Sequence, residues 1–196
     1  MSVLQVDKIQ DAAGTTNKEL AQYASGNWGW GAGVPNGTII NSGIKIYTGG
    51  DHAIAGATDY EAIINYMSVS CTVGNIILFG WNNYLQAYRS ANQPAGRIGY
   101  IDLYHSTSSV SAGATSSLGT KVSRRIFGRN TGADATAAST SYSPMHLLGA
   151  FEATATTHYL GPAFRADSAN MTTVSVMSST YPAYLYFHEI KGDVLT

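Results

Sequence analysis

"AIINYMSVSCTVGNIILFGW", residues 62–81, decides the fold. Its Ile, Val, Tyr, Phe and Trp residues suit a pleated, half-buried surface rather than a helix. Gly74-Asn75 is a turn pair, so the stretch reads as one long strand run or as two strands broken at that point. The same texture continues on both sides. "TIINSGIKIYTGG" (38–50), "RIGYIDLYHS" (97–106) and "KVSRRIFGRN" (121–130) read as strands, as do "PMHLLGAFEATA", "THYLGPAFRAD", "MTTVSVMSS" and "AYLYFHEIKG" towards the end of the chain. That makes eight or nine strands separated by Gly, Asn, Pro and Ser clusters. No long segment after residue 24 has a helical apolar period. Strands at this density imply an all-β sandwich, jelly roll or barrel.

Charge is scarce. Only 12% of the 196 residues are charged and the net charge is −1, against roughly 25% charged in ordinary soluble domains. Such a surface suggests cover by copies of the same chain or by a partner. The balance excludes a basic footprint for nucleic acid, and no apolar run reaches the roughly 20 residues of a membrane-spanning helix. The N-terminus lacks the cationic-then-apolar order of a signal peptide. Cys71 is a single cysteine in a strand-like context, and it reads as a buried, inert thiol.

Residues 1–24 read as a detached arm. Val3, Leu4, Val6 and Ile9 are its apolar positions, and "TNKELAQYA" carries a helix start at Thr16 or Asn17 with Glu19 in the first turn. Residues 25–38, "SGNWGWGAGVPNGT", hold too much Gly for regular structure and read as a linker. Its indoles, Trp28 and Trp30, pack on the body or serve an interface. Residues 39–196 form the body. Two polar loops, 105–120 and 130–144, are expected to be mobile or ordered against a neighbour.

Catalytic signals are faint. The five His residues show no metal-ligand spacing, and His188 beside Glu189 points to the opposite strand face. Convergence of His146, His158 and His188 across a sheet, or a single His repeated around a threefold axis, are the remaining metal readings, and they rank below ordinary hydrogen-bonding histidines. Asp102, Glu152 and Glu189 are the strand carboxylates, with nothing to pair them for glycoside hydrolysis. No nucleophile elbow is present. Arg124, Arg125 and Arg129 form a basic cluster, read first as a solvated edge, then as an intersubunit bridge, then as an anion contact. Trp81, Tyr84 and Tyr88, with Tyr181, are candidate glycan-stacking faces. Tyr184 and Tyr186 read as residues filling the core and an interface.

The leader "LQVDKIQDAAGTT" resembles the arm of marine and cyanobacterial phage virion proteins, matching at Val6, Asp7, Ile9 and Gly14. The linker and "TII" strand are similar to those that follow that arm. The C-terminal strands resemble the last strands of the same bodies at Tyr159, Leu185, Glu189, Ile190 and Gly192. Residues 60–150 match no such pattern. The resemblance implies a jelly roll similar to trimeric tumour-necrosis-factor-like domains, with an extended N-terminal arm and short helix. It implies a homotrimer with Tyr184, Tyr186, Glu189, Arg124 and Arg125 at the interface, Glu189 pairing across subunits with Arg124, Arg125 or Arg165.

The expectation is therefore a non-enzymatic virion-surface protein, either a tail-fibre or spike component or a capsid decoration. Residues 1–24 dock on capsid or tail proteins through Leu4, Val6, Asp7 and Ile9, with Trp28 and Trp30, and the body attaches to host surface polysaccharide or shields the shell. Cofactor and metal are expected to be absent. The rival readings are a polysaccharide depolymerase and a free lectin-like domain.

Overall fold

The computed structural model describes the backbone of residues 8–10, 17–22, 28–30, 37–55, 59–89, 99–127, 139–166 and 171–192. Side chains are described for 37–54, 59–86, 99–124, 143–166 and 175–192. Every regular element among these residues is a β-strand.

Three short strands come first: β1 (Lys8–Gln10), β2 (Asn17–Gln22) and β3 (Trp28–Trp30), paired antiparallel in that order. The helix expected at 16–24 is thus a strand, and the linker carries one too. A six-residue run is too short to nucleate a stable helix on its own, whereas pairing along both edges satisfies its backbone. The docking residues Leu4, Val6 and Asp7 lie outside the described residues. Ile9, Trp28 and Trp30 lie in β1 and β3, with side chains outside them.

The body holds two antiparallel sheets. The first contains β4 (Ile39–Tyr47), β5 (His52–Ala55), β8 (Ile76–Arg89), β11 (Ser139–Glu152), β13 (Met171–Val176) and β14 (Ala183–Ile190). β8 is its central beam. One edge pairs with β11 along the whole length, and the other is shared: β14 takes Ile76–Asn82 and β13 takes Tyr84–Arg89. β4 then flanks β14, and β5 flanks β13. The second sheet runs β10 (Thr120–Phe127), β9 (Gly99–Ser106), β12 (Thr157–Ala166), with β6 (Glu61–Ala62) and β7 (Met67–Ser70) sharing the far edge of β12.

The run at 62–81 is therefore split between the sheets. Residues 61–62 and 67–70 belong to the second sheet and residues 76–81 to the first. The break falls at the expected turn, where Gly74 has φ +86 and Asn75 N–H donates to the Thr72 carbonyl. β5 escaped the sequence reading because four residues, "HAIA", show too little alternation.

The sheets close face to face over one apolar core. β14 alternates strictly: Ala183, Leu185, Phe187 and Glu189 are buried, and Tyr184, Tyr186, His188 and Ile190 are half-buried on the other side. Leu185, Trp81 and Leu147 stand in register across β14, β8 and β11, facing Ile101, Leu103, Leu160 and Phe164 of the second sheet within the same cluster. Burying side chains of this size stabilises by about 1.5–3 kcal/mol each.

The loop at 107–119 is ordered against its own chain. Ala62 N–H donates to Ala114 carbonyl, Gly113 N–H to Ala62 carbonyl and Tyr66 N–H to Val110 carbonyl. Asn65 Oδ1 accepts from Ala112 N–H at 2.8 Å. Val110 and Leu118 thereby cover Tyr66, Tyr104 and Ala163 on the outer side of the second sheet. Of the second expected loop, residues 139–144 belong to β11; the remainder lies outside the described residues.

Candidate functional site

The two outer faces of the sandwich differ in chemistry. On the first sheet, the outward positions are Ser42, Ile44 and Ile46 of β4, Tyr184, Tyr186 and His188 of β14, Leu78, Gly80, Asn82 and Tyr84 of β8, and Pro144, His146, Leu148 and Ala150 of β11. These follow from the alternation and the register. None of these is a carboxylate, ammonium or guanidinium; the same alternation brings Glu152, exposed at the end of β11, to the margin of this face. Ile44 is 63% exposed, and Ile46, Leu148 and Tyr84 are also exposed.

Tyr186 organises the centre of this face. It stands opposite Gly80 in register, and a Cβ at Gly80 would run into its ring. The missing side chain lets the ring lie across β8, so that its hydroxyl meets His146 Nε2 on β11 at 2.7 Å. His188 sits beside Tyr186, with ring centroids 6.2 Å apart. Tyr84 makes an edge-on pair with Tyr181 at 5.2 Å.

Several expected site residues stand elsewhere. Trp81 is 0% exposed and offers no stacking face, because its odd position on β8 points inward. Tyr84 does present a ring at the surface; the side chain of Tyr88 lies outside the described residues. Glu189 is buried and its Oε1 accepts from Thr72 N–H at 2.7 Å and Asn75 Nδ2 at 2.6 Å. It thus ties the 72–75 turn to the closing strand within the chain. Arg124 pairs with Asp102 on the second sheet, away from Glu189, and the Arg125 side chain lies outside the described residues.

The histidines divide in the same way. His146 and His188 share the outer face of the first sheet, while His158 is wholly buried. Among the described residues, no group of three or more His, Cys, Asp or Glu is placed to hold a metal ion. Cys71 is half-buried; its thiol meets the Ala155 carbonyl at 3.4 Å, and burial followed by the Glu189 charge pushes its pKa up. That suppresses thiolate and nucleophilic character.

Buried His158 and half-buried His105 form a couple. His158 Nε2 accepts from the N–H groups of Thr154 and Ala155, both at 3.2 Å. The proton therefore sits on Nδ1, which faces His105 Nδ1 at 3.4 Å. His105 stacks on Phe151, with centroids 3.8 Å apart and planes 8° apart. Burial, and then the neighbouring His158, lowers the His105 pKa to about 4; burial lowers that of His158 as well. Both rings are held neutral in the fold, whereas in the unfolded chain they take up protons near pH 6.5. Below that pH the unfolded state binds more protons, so stability falls as pH drops from about 6.5 towards 4. Thermal unfolding should show a lower midpoint at pH 4.5 than at pH 7, with a shallower slope in His105→Phe. A slope unchanged by that substitution contradicts the assignment.

No family model matches the chain, and no curated protein matches it in sequence. Among solved structures it is similar to the Eiger TNF of S. frugiperda, at 9% identity and a TM-score of 0.35, over 76% of this chain and 93% of that one. It is also similar to a chain of the infectious bursal disease virus Gt strain, at 8% identity and a TM-score of 0.23, covering 90% of this chain. There it spans about half of the other chain's length, 51%. A third likeness is to the Bacillus endospore appendages, at 15% identity and a TM-score of 0.21, over 74% of this chain and 96% of that one. Each TM-score lies below 0.5, and the functional reading rests on this chain's own faces.

Proposed function

We propose that this protein is a non-enzymatic structural component of a phage virion surface, a fibre, spike or capsid-decoration protein that assembles with copies of itself as a homotrimer. The observation that carries self-association is the apolar centre of the first sheet's outer face, where Glu152 at the far end of β11 is the carboxylate in register. Ile44, Ile46 and Leu148 are too exposed for an idle solvent face, and they surround hydrogen-bonding Tyr186 and His146. Burying Ile and Leu against a like surface removes them from water without stranding a charge. An equally uncharged partner is required, and a chain with 12% charged residues supplies one. The trimer, the phage assignment and the docking role of residues 1–24 rest on the sequence resemblance at both ends. The wiring supports a jelly-roll reading: strand order β4-β14-β8-β11 in one sheet and β7-β12-β9-β10 in the other, with the chain crossing between sheets repeatedly.

The carboxylates favour a binding role over depolymerase chemistry. Asp102 faces outward on the second sheet and Glu189 inward on the first, each engaged within the chain, while Glu152 is exposed at the end of β11. Two carboxylates flanking one sugar bond would have to share a cleft. Sedimentation of the full chain should give three times its 20.7 kDa mass, and tagged protein should appear on intact particles unless residues 1–24 are deleted. A monomer in solution, or truncated protein that still incorporates, overturns the assembly and the docking reading respectively.

A further inference from the structure

We propose that the outer face of the second sheet is a binding site for the acidic groups of a polysaccharide. This rests on the virion-surface reading and names a chemistry for the host-polysaccharide attachment expected from the sequence; it stands on the opposite face from the self-association surface. The outward residues of β9 there are Tyr100, Asp102 and Tyr104. The register sets Arg124 of β10 beside Asp102 and Arg165 of β12 beside Tyr100.

Asp102 is the anchor. It is 0% exposed, yet Arg124 Nε lies 3.3 Å from Oδ1 and 3.4 Å from Oδ2, and Lys121 Nζ lies 3.5 Å from Oδ2. The Arg165 guanidinium stacks 4.5 Å from the Tyr100 ring centroid and 5.2 Å from that of Tyr60, and Arg124 lies 5.7 Å from Tyr100. The buried carboxylate and the tyrosine rings hold the cations in fixed orientations. Side chains of Lys121 and Arg124 remain 41% and 46% exposed, within reach of a ligand.

Lys121 and Arg124 against Asp102 leave one positive charge in excess at this anchor, in a chain whose net charge is −1. A surplus held on one face complements an anion. A planar, pre-oriented guanidinium favours carboxylate or sulfate, which it meets with paired N–H donors. Adjacent tyrosine edges give a sugar ring an apolar margin. Nucleic acid is disfavoured, because a chain with no basic excess lacks the many phosphate contacts on which such binding depends.

The test is retention of the full chain on four surfaces: polygalacturonate, dextran sulfate, neutral dextran and a single-stranded oligonucleotide. The expected result is salt-sensitive binding to one or both acidic glycans, which also identifies carboxylate or sulfate as the preferred group. Lys121→Gln should weaken it several-fold, and Lys121→Gln with Arg124→Gln at least tenfold. Asp102→Asn separates a built site from simple charge. It raises the net positive charge, yet it should weaken binding because the guanidinium loses its anchor. Tighter binding by Asp102→Asn, equal retention on neutral dextran or on the oligonucleotide, or indifference to Lys121→Gln overturns the proposal. Thermal midpoints are read for each variant, and Lys121→Gln, at an exposed position, keeps the test open if Asp102→Asn unfolds. Sedimentation mass, recorded alongside, separates failure of this face from failure of self-association.

Discussion

If the chain assembles as proposed, Ile44→Glu combined with Ile46→Glu should leave it a monomer of 20.7 kDa with little change in thermal midpoint at low protein concentration. Both side chains are more than half exposed in the single chain, at 63% and 56%, so the fold does not depend on burying them. In an assembly that covers this face, each Glu would place a charge against Tyr and Leu, with no Lys or Arg among the described outward residues to receive it. An unpaired charge buried at an interface costs several kcal/mol, and two such charges per subunit exceed what most associations of this kind can absorb. Sedimentation at fixed concentration checks this. If the double variant keeps the mass of the parent, the first sheet's outer face is not the interface.

The second large effect falls on stability. Glu189→Leu removes the acceptor for both Thr72 N–H and Asn75 Nδ2, leaving one part-buried and one buried donor. An orphaned buried donor costs about 1–3 kcal/mol, so the loss is on the order of 3 kcal/mol, or about 10 °C in midpoint for a chain of this size. Asn75 also accepts from Gly192 N–H at 3.0 Å through its Oδ1, so the turn and the end of β14 should loosen together. Glu189→Gln keeps an oxygen in place and should shift the midpoint by less than half as much. An unchanged midpoint with a reduced assembly mass would instead restore Glu189 to the subunit contact expected from sequence.

The contrast between these residues shows what could be read from sequence. The alternation of "AYLYFHEI" placed His188 and Glu189 on opposite faces, and the structure keeps them there, because a strand's period of two admits no other outcome. The β-rich body and the Gly74-Asn75 turn were legible for similarly local reasons. Whether Trp81 faced core or solvent was not, since its direction depends on which neighbours cover which side of β8. Helix and strand were confused at 17–22 because six residues carry too short a pattern to separate the periods.

The site was less legible than the fold. Asp102 in "YIDLYH" occupies the face opposite Ile101 and Leu103, as its spacing indicates, and that face would ordinarily be wet. Its burial comes from residues distant in sequence: Lys121 and Arg124 from the next strand, and Arg165 stacked on Tyr60 and Tyr100. The 107–119 loop, too, was composed like a solvent loop. Its pairing with residues 62–66 uses backbone groups, which no side-chain pattern announces.

The Lys121–Arg124 cluster and the apolar Ile44–Leu148 face lie on opposite sides of one sandwich, and this sets a rule for avidity. Any assembly closed through the first sheet turns the second sheet of every copy away from the contact. In the proposed trimer, three outward patches would meet a repeating polymer at the same time, each raising the local concentration seen by the next. A single patch with modest affinity becomes a firm hold, and the hold loosens one arm at a time. Attachment of this kind tolerates variation in the sugar between charged groups, because the spacing of the arms, and not the fit of one site, carries the grip.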